Sequence, residues 1–224
     1  MIYLYALVDE PAAGPLDPGI AGEPLRLLPA GGVSAVVGDL AERPRPDRQT
    51  LERQDAVVRR LADRFGALLP ARFGEAFPDA ATLADRLAPR GAEVAEALAL
   101  VRGCVQMTLR VFGDPEPAVE IPPASEAGPG ARYLAERRRE QERSRSLPEI
   151  EPLRELLRPL VRAERVQRHE SAGPLLGTAY HLVARGQSDA YLAALEGASR
   201  WIGGRRIAAT GPWPPYAFAP EAAP

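Results

Sequence analysis

The sequence predicts an α+β protein of two domains, residues 1–103 and 104–224, and three observations carry that prediction. In the first half, short runs of β-branched and aromatic residues separated by Pro/Gly turns give way near Thr50 to apolar residues at three-four spacing. In the second half the segments read strand, helix, strand, strand, helix, strand. That is the βαββαβ order of a ferredoxin-like unit, in which four antiparallel strands carry two helices on one face. Gly103 separates the two halves by breaking a helix just before a strand. The N-terminal domain is accordingly expected to be a smaller antiparallel sheet with helices.

Taken in order, Met1 to Val8 has no breaker and reads as a strand, and Pro11 to Pro24 as a Pro/Gly loop. Leu25 to Leu28 and Val33 to Val37 flank Pro29-Ala30-Gly31-Gly32 and predict a hairpin. From Thr50 to Ala67, the residues Leu51, Gln54, Val58, Leu61 and Phe65 form one helical stripe, with Gln54 its polar member. Leu68 to Phe73 reads as a short buried extended segment closed by Gly74. Asp79 is suited to cap a helix bearing Leu83 and Leu87. Pro89 fits the first turn of the next helix, whose apolar face is Val94, Leu98 and Val101.

Beyond Gly103, Val105 to Phe112 alternates as a strand, Asp114 to Gly130 is a loop, and Ala131 to Arg145 is a charged helix. Ile150, Leu153, Leu157 and Leu160 resume a helical stripe. Arg165 to Ser171 and Leu176 to Val183 read as an antiparallel pair. Ser188 is expected to cap a helix reaching about Trp201, and Arg205 to Thr210 is a last strand. Ile2 to Val8 and Arg205 to Thr210 are the candidate sheet edges.

A net charge of −2 and a pI near 5.9 argue against a general nucleic-acid binder, whose domain would be basic. A lone cysteine, Cys104, excludes an internal disulfide and fits a reducing compartment. The first residues lack a basic leader region, and no apolar run approaches a membrane span. The expectation is a cytoplasmic protein with no membrane partner.

Catalytic chemistry is sparse, and no catalytic residue, cofactor or metal is expected. The two histidines, His169 and His181, could bind a metal with Glu170 or Glu164 if they faced each other, but they lack a fixed ligand spacing. One is expected at the surface and the other beside the C-terminal segment. Cys104 reads as a buried structural thiol. Gly173-Pro174-Leu175-Leu176-Gly177-Thr178 lacks the lysine and the helix of a phosphate loop and reads as a turn. The run Arg137-Arg138-Arg139 with Arg143 and Arg145 is interleaved with Glu136, Glu140 and Glu142, so it reads first as a solvated helix face and only second as a phosphate-binding face or a docking surface for an acidic partner.

Two stretches stand out. Gly211-Pro212-Trp213-Pro214-Pro215-Tyr216-Ala217-Phe218 is a stiff aromatic strap near polyproline geometry. Burying one such ring stabilises by at most about 4–6 kcal/mol, enough to fasten a terminus. In Leu69-Pro70-Ala71-Arg72-Phe73-Gly74, Arg72 sits between apolar residues expected to be buried, so its guanidinium must find acceptors or reach the surface. It reads first as a clamp that pairs with carboxylates or carbonyls of neighbouring elements, and second as an anion site for a partner. Arg72, Phe73, Trp213 and Tyr216 are therefore the candidate clamp or partner-binding residues.

Read together with Ile2-Tyr3-Leu4-Tyr5-Ala6, Gly31-Gly32-Val33-Ser34-Ala35-Val36-Val37, Arg132-Tyr133-Leu134 and Ala179-Tyr180-His181-Leu182-Val183, these stretches resemble the gas vesicle GvpL/GvpF family over nearly the whole chain. The resemblance implies two α+β domains, the second a modified ferredoxin-like one, and an accessory or minor structural role in building gas vesicles. It also implies association with the hydrophobic shell protein GvpA and with other accessory proteins, and a location in the cytoplasm and the vesicle. Gln54 stands where the family pattern has a His, and Gln106 where it has a Glu before Met107, which removes two ionisable groups. Two other function classes make demands of their own. A nucleic-acid module needs exposed aromatics on the central strands, where only Phe112 and Tyr180 occur, and an enzyme with an inter-domain pocket needs a convergent polar cluster.

Overall fold

A computed structural model describes residues 1–9, 14–113, 146–169, 173–198 and 205–220. The loop expected over 114–130 and the arginine-rich helix over 131–145 lie outside the described residues. The chain divides into two compact units, one of Met1–Gln106 with Pro212–Pro224 and one of Met107–Gly211. The expected boundary at Gly103 thus falls three residues later, and the strap groups with the first unit instead of the second, because its polar and aromatic contacts are made there.

The first unit is organised on β1 (Ile2–Val8), β2 (Leu25–Ala30) and β3 (Val33–Asp39). The sheet order is β2-β3-β1-β4, with β4 (Leu68–Pro70) and β5 (Ala76–Phe77) pairing successive parts of β1. β1 is therefore central, and all seven of its residues are buried. This corrects its expected place at an edge: a run with no polar alternation is one that both faces of a sheet must cover. A register shift between Leu4 and Ala6 in the β1–β3 ladder lets Tyr3, Tyr5, Ala6 and Val8 join a single core with Val57, Val58, Leu61 and Phe65.

The helix supplying that core, α1 (Arg48–Arg64), starts where the Asp47 side chain accepts the Thr50 N–H at 2.8 Å. Gln54, Val57, Val58 and Leu61 are its buried residues. Leu51, expected on that stripe, is 44% exposed, because it lies in the first turn at the rim of the buried face. α2 (Ala80–Leu87) is capped by Asp79 as expected, with Leu83 and Leu87 buried. A 3-10 turn containing Pro89 leads into α3 (Gly91–Val101), which buries Val94, Leu98 and Val101. The β2–β3 hairpin turns through Gly31 and Gly32 at φ +61° and +84°, and Gly31 abuts the start of α3.

The second unit holds the sheet β7-β8-β6-β9, made of β6 (Cys104–Phe112), β7 (Val161–Arg168), β8 (Leu175–Ala184) and β9 (Arg206–Trp213). This order is compatible with the ferredoxin-like expectation. β7 begins four residues before the expected Arg165 and pairs antiparallel with β8, Glu164 opposite His181 and Arg165 opposite Tyr180. A 3-10 turn (Pro148–Ile150), α4 (Glu151–Leu157) and α5 (Ser188–Ala198) share one core with the sheet. Met107, Leu109 and Val111 meet Ile150, Leu153, Leu157, Tyr191 and Leu195 in it. Ser188 is the first helical residue and not the cap, since Gln187 supplies the carbonyl that accepts the Tyr191 N–H at 2.9 Å. β9 lies at a sheet edge, as expected for that strand. No helix among the described residues is long and apolar enough to cross a membrane.

Candidate partner-binding face

The strap is not polyproline throughout. β9 runs through Gly211 and Pro212 to Trp213, an edge position where the missing proline donor costs no ladder bond. The chain then folds into a 3-10 turn at Tyr216–Phe218, with the Phe218 N–H on the Pro215 carbonyl at 3.0 Å. Its fastening ring is Phe218, which is wholly buried and which the sequence reading did not single out. Trp213 is half-buried, and Tyr216 is 37% exposed.

Helix α1 receives the strap. The Arg59 guanidinium lies 4.3 Å from the centre of the Trp213 ring and pairs with Asp55 at 2.6 Å. Tyr216 Oη donates to the other Asp55 oxygen at 3.3 Å. Burial and the neighbouring Asp55 carboxylate push the Tyr216 phenol well above its ordinary value, so it stays a donor at any ordinary pH. Behind the turn, the Ala217 N–H donates to Gln106 Oε1 at 2.8 Å.

Arg72 is not the clamp expected. It is exposed, and its guanidinium has no partner among the described residues. Fastening of this stretch is done by backbone and by Tyr3 instead. The Ala71 N–H donates to the Tyr5 carbonyl at 2.9 Å, and the Glu75 N–H donates to the Arg72 carbonyl at 3.2 Å. Gly74, at φ +82°, donates its N–H to Tyr3 Oη at 3.0 Å and turns the chain outward. Tyr3 in turn donates to Gln54 Oε1, and its ring meets that of Tyr5 edge-on with centroids 5.0 Å apart. Tyr5 donates to Glu23 and accepts the Ile20 N–H at 3.0 Å. Desolvation holds both phenols above their ordinary value. Gln54 and Gln106, the two departures from the family pattern, are thus both buried acceptors of neutral hydrogen bonds.

The two stretches flank one strand. β4 contacts the Tyr216–Phe218 turn, and Arg72-Phe73 follow β4 by two residues. Trp213 and Tyr216 on the strap and Arg72 and Phe73 after β4 are of residue types enriched at protein interfaces.

The histidines form no shared site. His169 Nε2 lies 3.0 Å from Thr178 Oγ1. His181, expected beside the strap or at the surface, is buried with both ring nitrogens engaged: Nδ1 on Tyr191 Oη at 2.7 Å and Nε2 on Glu164 at 2.9 Å. Arg154 pairs with Glu164 at 3.0 Å and also with Glu151. The His181 hydrogen bond, with help from Arg154, holds the Glu164 carboxyl below the usual carboxylate range. Burial raises the Tyr191 phenol. Among the described residues no group of three His, Cys, Asp or Glu side chains could hold a metal, and Glu170 lies outside them. Cys104 is buried, as expected of a structural thiol.

Comparison with known proteins joins the two halves of this description. The family model described as gas vesicle synthesis protein GvpL/GvpF matches residues 1–220. The chain is 26% identical over 212 residues to gas vesicle protein F of Streptomyces sp. (strain CB03234), covering 88% of each. Its fold superposes on the crystal structure of GvpF from Anabaena sp. PCC7120 with a TM-score of 0.72 at 17% identity, covering 99% of this chain and 97% of the other. On GvpF from Microcystis aeruginosa the TM-score is 0.71 at 20% identity, covering 98% and 99%. The family match over almost the entire length settles the assignment: the chain belongs to the gas vesicle synthesis protein GvpL/GvpF family.

Proposed function

We propose that this protein is a non-catalytic assembly factor for gas vesicles, working in the cytoplasm and at the growing vesicle. In this reading it binds the hydrophobic shell protein GvpA and other vesicle accessory proteins through Arg72, Phe73, Trp213 and Tyr216. The observation that carries the reading is the division of labour within the strap. Of the three strap aromatics only Phe218 is wholly buried, which leaves Tyr216 and Trp213 partly exposed. A shell subunit exposes apolar, strand-forming surface before it polymerises, and such surface aggregates unless something covers it. Partly exposed aromatics and an exposed arginine are the groups that cover apolar surface while keeping orientation.

The test is co-expression of the protein with its organism's GvpA in a heterologous host, followed by purification through this chain. Soluble GvpA is expected to co-purify with the wild type and to be lost with Arg72→Ala/Tyr216→Ala, two exposed positions whose replacement leaves the circular dichroism spectrum unchanged. Recovery of folded wild-type protein with no GvpA would overturn direct carriage. Retention of GvpA by the folded double variant would move the contact to another face.

A further inference from the structure

We infer that the partner-binding face continues from the strap onto helix α1, with Leu51 as a further apolar contact and Asp55 as the residue that positions the rings of Trp213 and Tyr216. The inference rests on the proposed binding of an apolar shell subunit and assigns more of that same site. It follows from spacing along the helix. Gln54, Val57, Val58 and Leu61 take the core side of α1. Leu51, Asp55 and Arg59 succeed one another at i,i+4 along the rim of that side, with about 5–6 Å between successive Cβ atoms.

The strap lies along this rim. The Arg59 guanidinium is 4.3 Å from the centre of the Trp213 ring, and one turn earlier Asp55 accepts the Tyr216 hydroxyl at 3.3 Å. Three residues of strap thus match one turn of helix, running toward the helix N-terminus. Leu51, 44% exposed, occupies the next turn in that direction. Among the described residues the exposed large apolar side chains are Met1, Leu51, Leu100, Leu156 and Tyr216, so two of them fall on either side of Asp55. A single exposed leucine needs no explanation, but one in line with two partly exposed aromatics extends an apolar patch.

Asp55 ties the rings to the helix through both of its oxygens, one on the Tyr216 hydroxyl and one on Arg59 at 2.6 Å. Charge on the rim is also settled within the helix. Asp55 neutralises Arg59, and Glu52 neutralises Arg48 at 2.7 Å. What the rim presents outward is therefore ring edge and leucine, which suits an apolar protein surface. A polyanion would need cations that are not already paired.

The experiment is recovery of co-expressed GvpA through the full chain, compared between two equally exposed leucines. Leu51→Gln should lower the GvpA recovered per chain by about fivefold or more, and Leu51→Met should restore it. Leu156→Gln should leave recovery unchanged, since Leu156 is 43% exposed on α4 of the second unit. Asp55→Ala should also lower recovery, and adding Tyr216→Phe to it should change nothing further, because the hydroxyl acts through Asp55. Additive losses in that pair would refute the positioning role. Equal recovery by Leu51→Gln and Leu156→Gln, with GvpA still lost from Arg72→Ala/Tyr216→Ala, overturns this inference and leaves the strap as the contact. A wild type that recovers no GvpA overturns the reading on which both stand. A dimer of the chain alone that Leu51→Gln dissolves would give the face to a second copy and overturn the inference. If Leu51→Gln is unfolded by circular dichroism, hydrogen exchange on the wild-type complex decides instead. GvpA-induced protection over 48–59 is expected, and its absence refutes the assignment.

Discussion

Gln106 Oε1 accepts the Ala217 N–H at 2.8 Å, closing a loop of chain 111 residues long with one buried amide. Gln106 is 4% exposed, while Ala217 is half-buried. Gln106→Ala is expected to cost about 0.5–1.5 kcal/mol, the net worth of one part-buried hydrogen bond. The loss should be local. Hydrogen exchange over 214–219 should accelerate while β1 stays protected, and unchanged exchange in the strap would show that the bond contributes nothing.

Phe218 and Tyr216 sit in the same 3-10 turn with opposite burial, and their replacement should separate stability from binding. Phe218→Ala removes a wholly buried ring and is expected to cost about 3–5 kcal/mol. Tyr216→Ala removes a ring 37% exposed and one bond to Asp55, for about 1 kcal/mol. Urea unfolding midpoints of the two variants check the order, and equal midpoints would contradict the assignment of Phe218 as the anchor.

Much of this was legible in the sequence, and what was missed has identifiable physical causes. The cap at Asp79, the stripe Val94-Leu98-Val101 and the second unit's succession of strands and helices follow from periodicity and local side-chain chemistry, which act over a few residues. The central place of β1 was readable too, since Ile2-Tyr3-Leu4-Tyr5-Ala6-Leu7-Val8 offers no polar face. The sequence left Arg72 to find acceptors or reach the surface and favoured the clamp; Gly74 at positive φ swings the turn outward, a decision made by a backbone torsion and by the distant Tyr3. Which strap ring enters the core depends on where the 3-10 turn falls, and no local pattern fixes that. The Glu164–His181 pair was within reach: once the two strands are taken as antiparallel, their register alone sets those residues opposite.

Gly91 tests the packing of the hairpin on α3. A Cβ built there would lie 2.2 Å from the Gly31 carbonyl oxygen, a backbone atom that cannot rotate away. Gly91→Ala should therefore destabilise, against its favourable helix propensity, by about 1–3 kcal/mol. A thermal melt showing the variant equal to or above the wild type would mean that the hairpin moves aside freely.

The last prediction concerns acid. Glu164 is held ionised first by the His181 hydrogen bond and then by Arg154, so its folded pKa lies below its unfolded value of about 4.3. Such a group contributes stability that is fully present above the unfolded value and is lost as pH falls through the lower folded one. Glu164→Gln keeps the shape but removes the titration. The gap in urea midpoint between wild type and variant should be widest from neutral pH down to about 5 and should narrow as pH drops toward 3. Arg154 retains Glu151 in the variant, which keeps its own charge paired. A gap that stays constant across that range, or widens in acid, would show that the native network does not favour the ionised carboxylate.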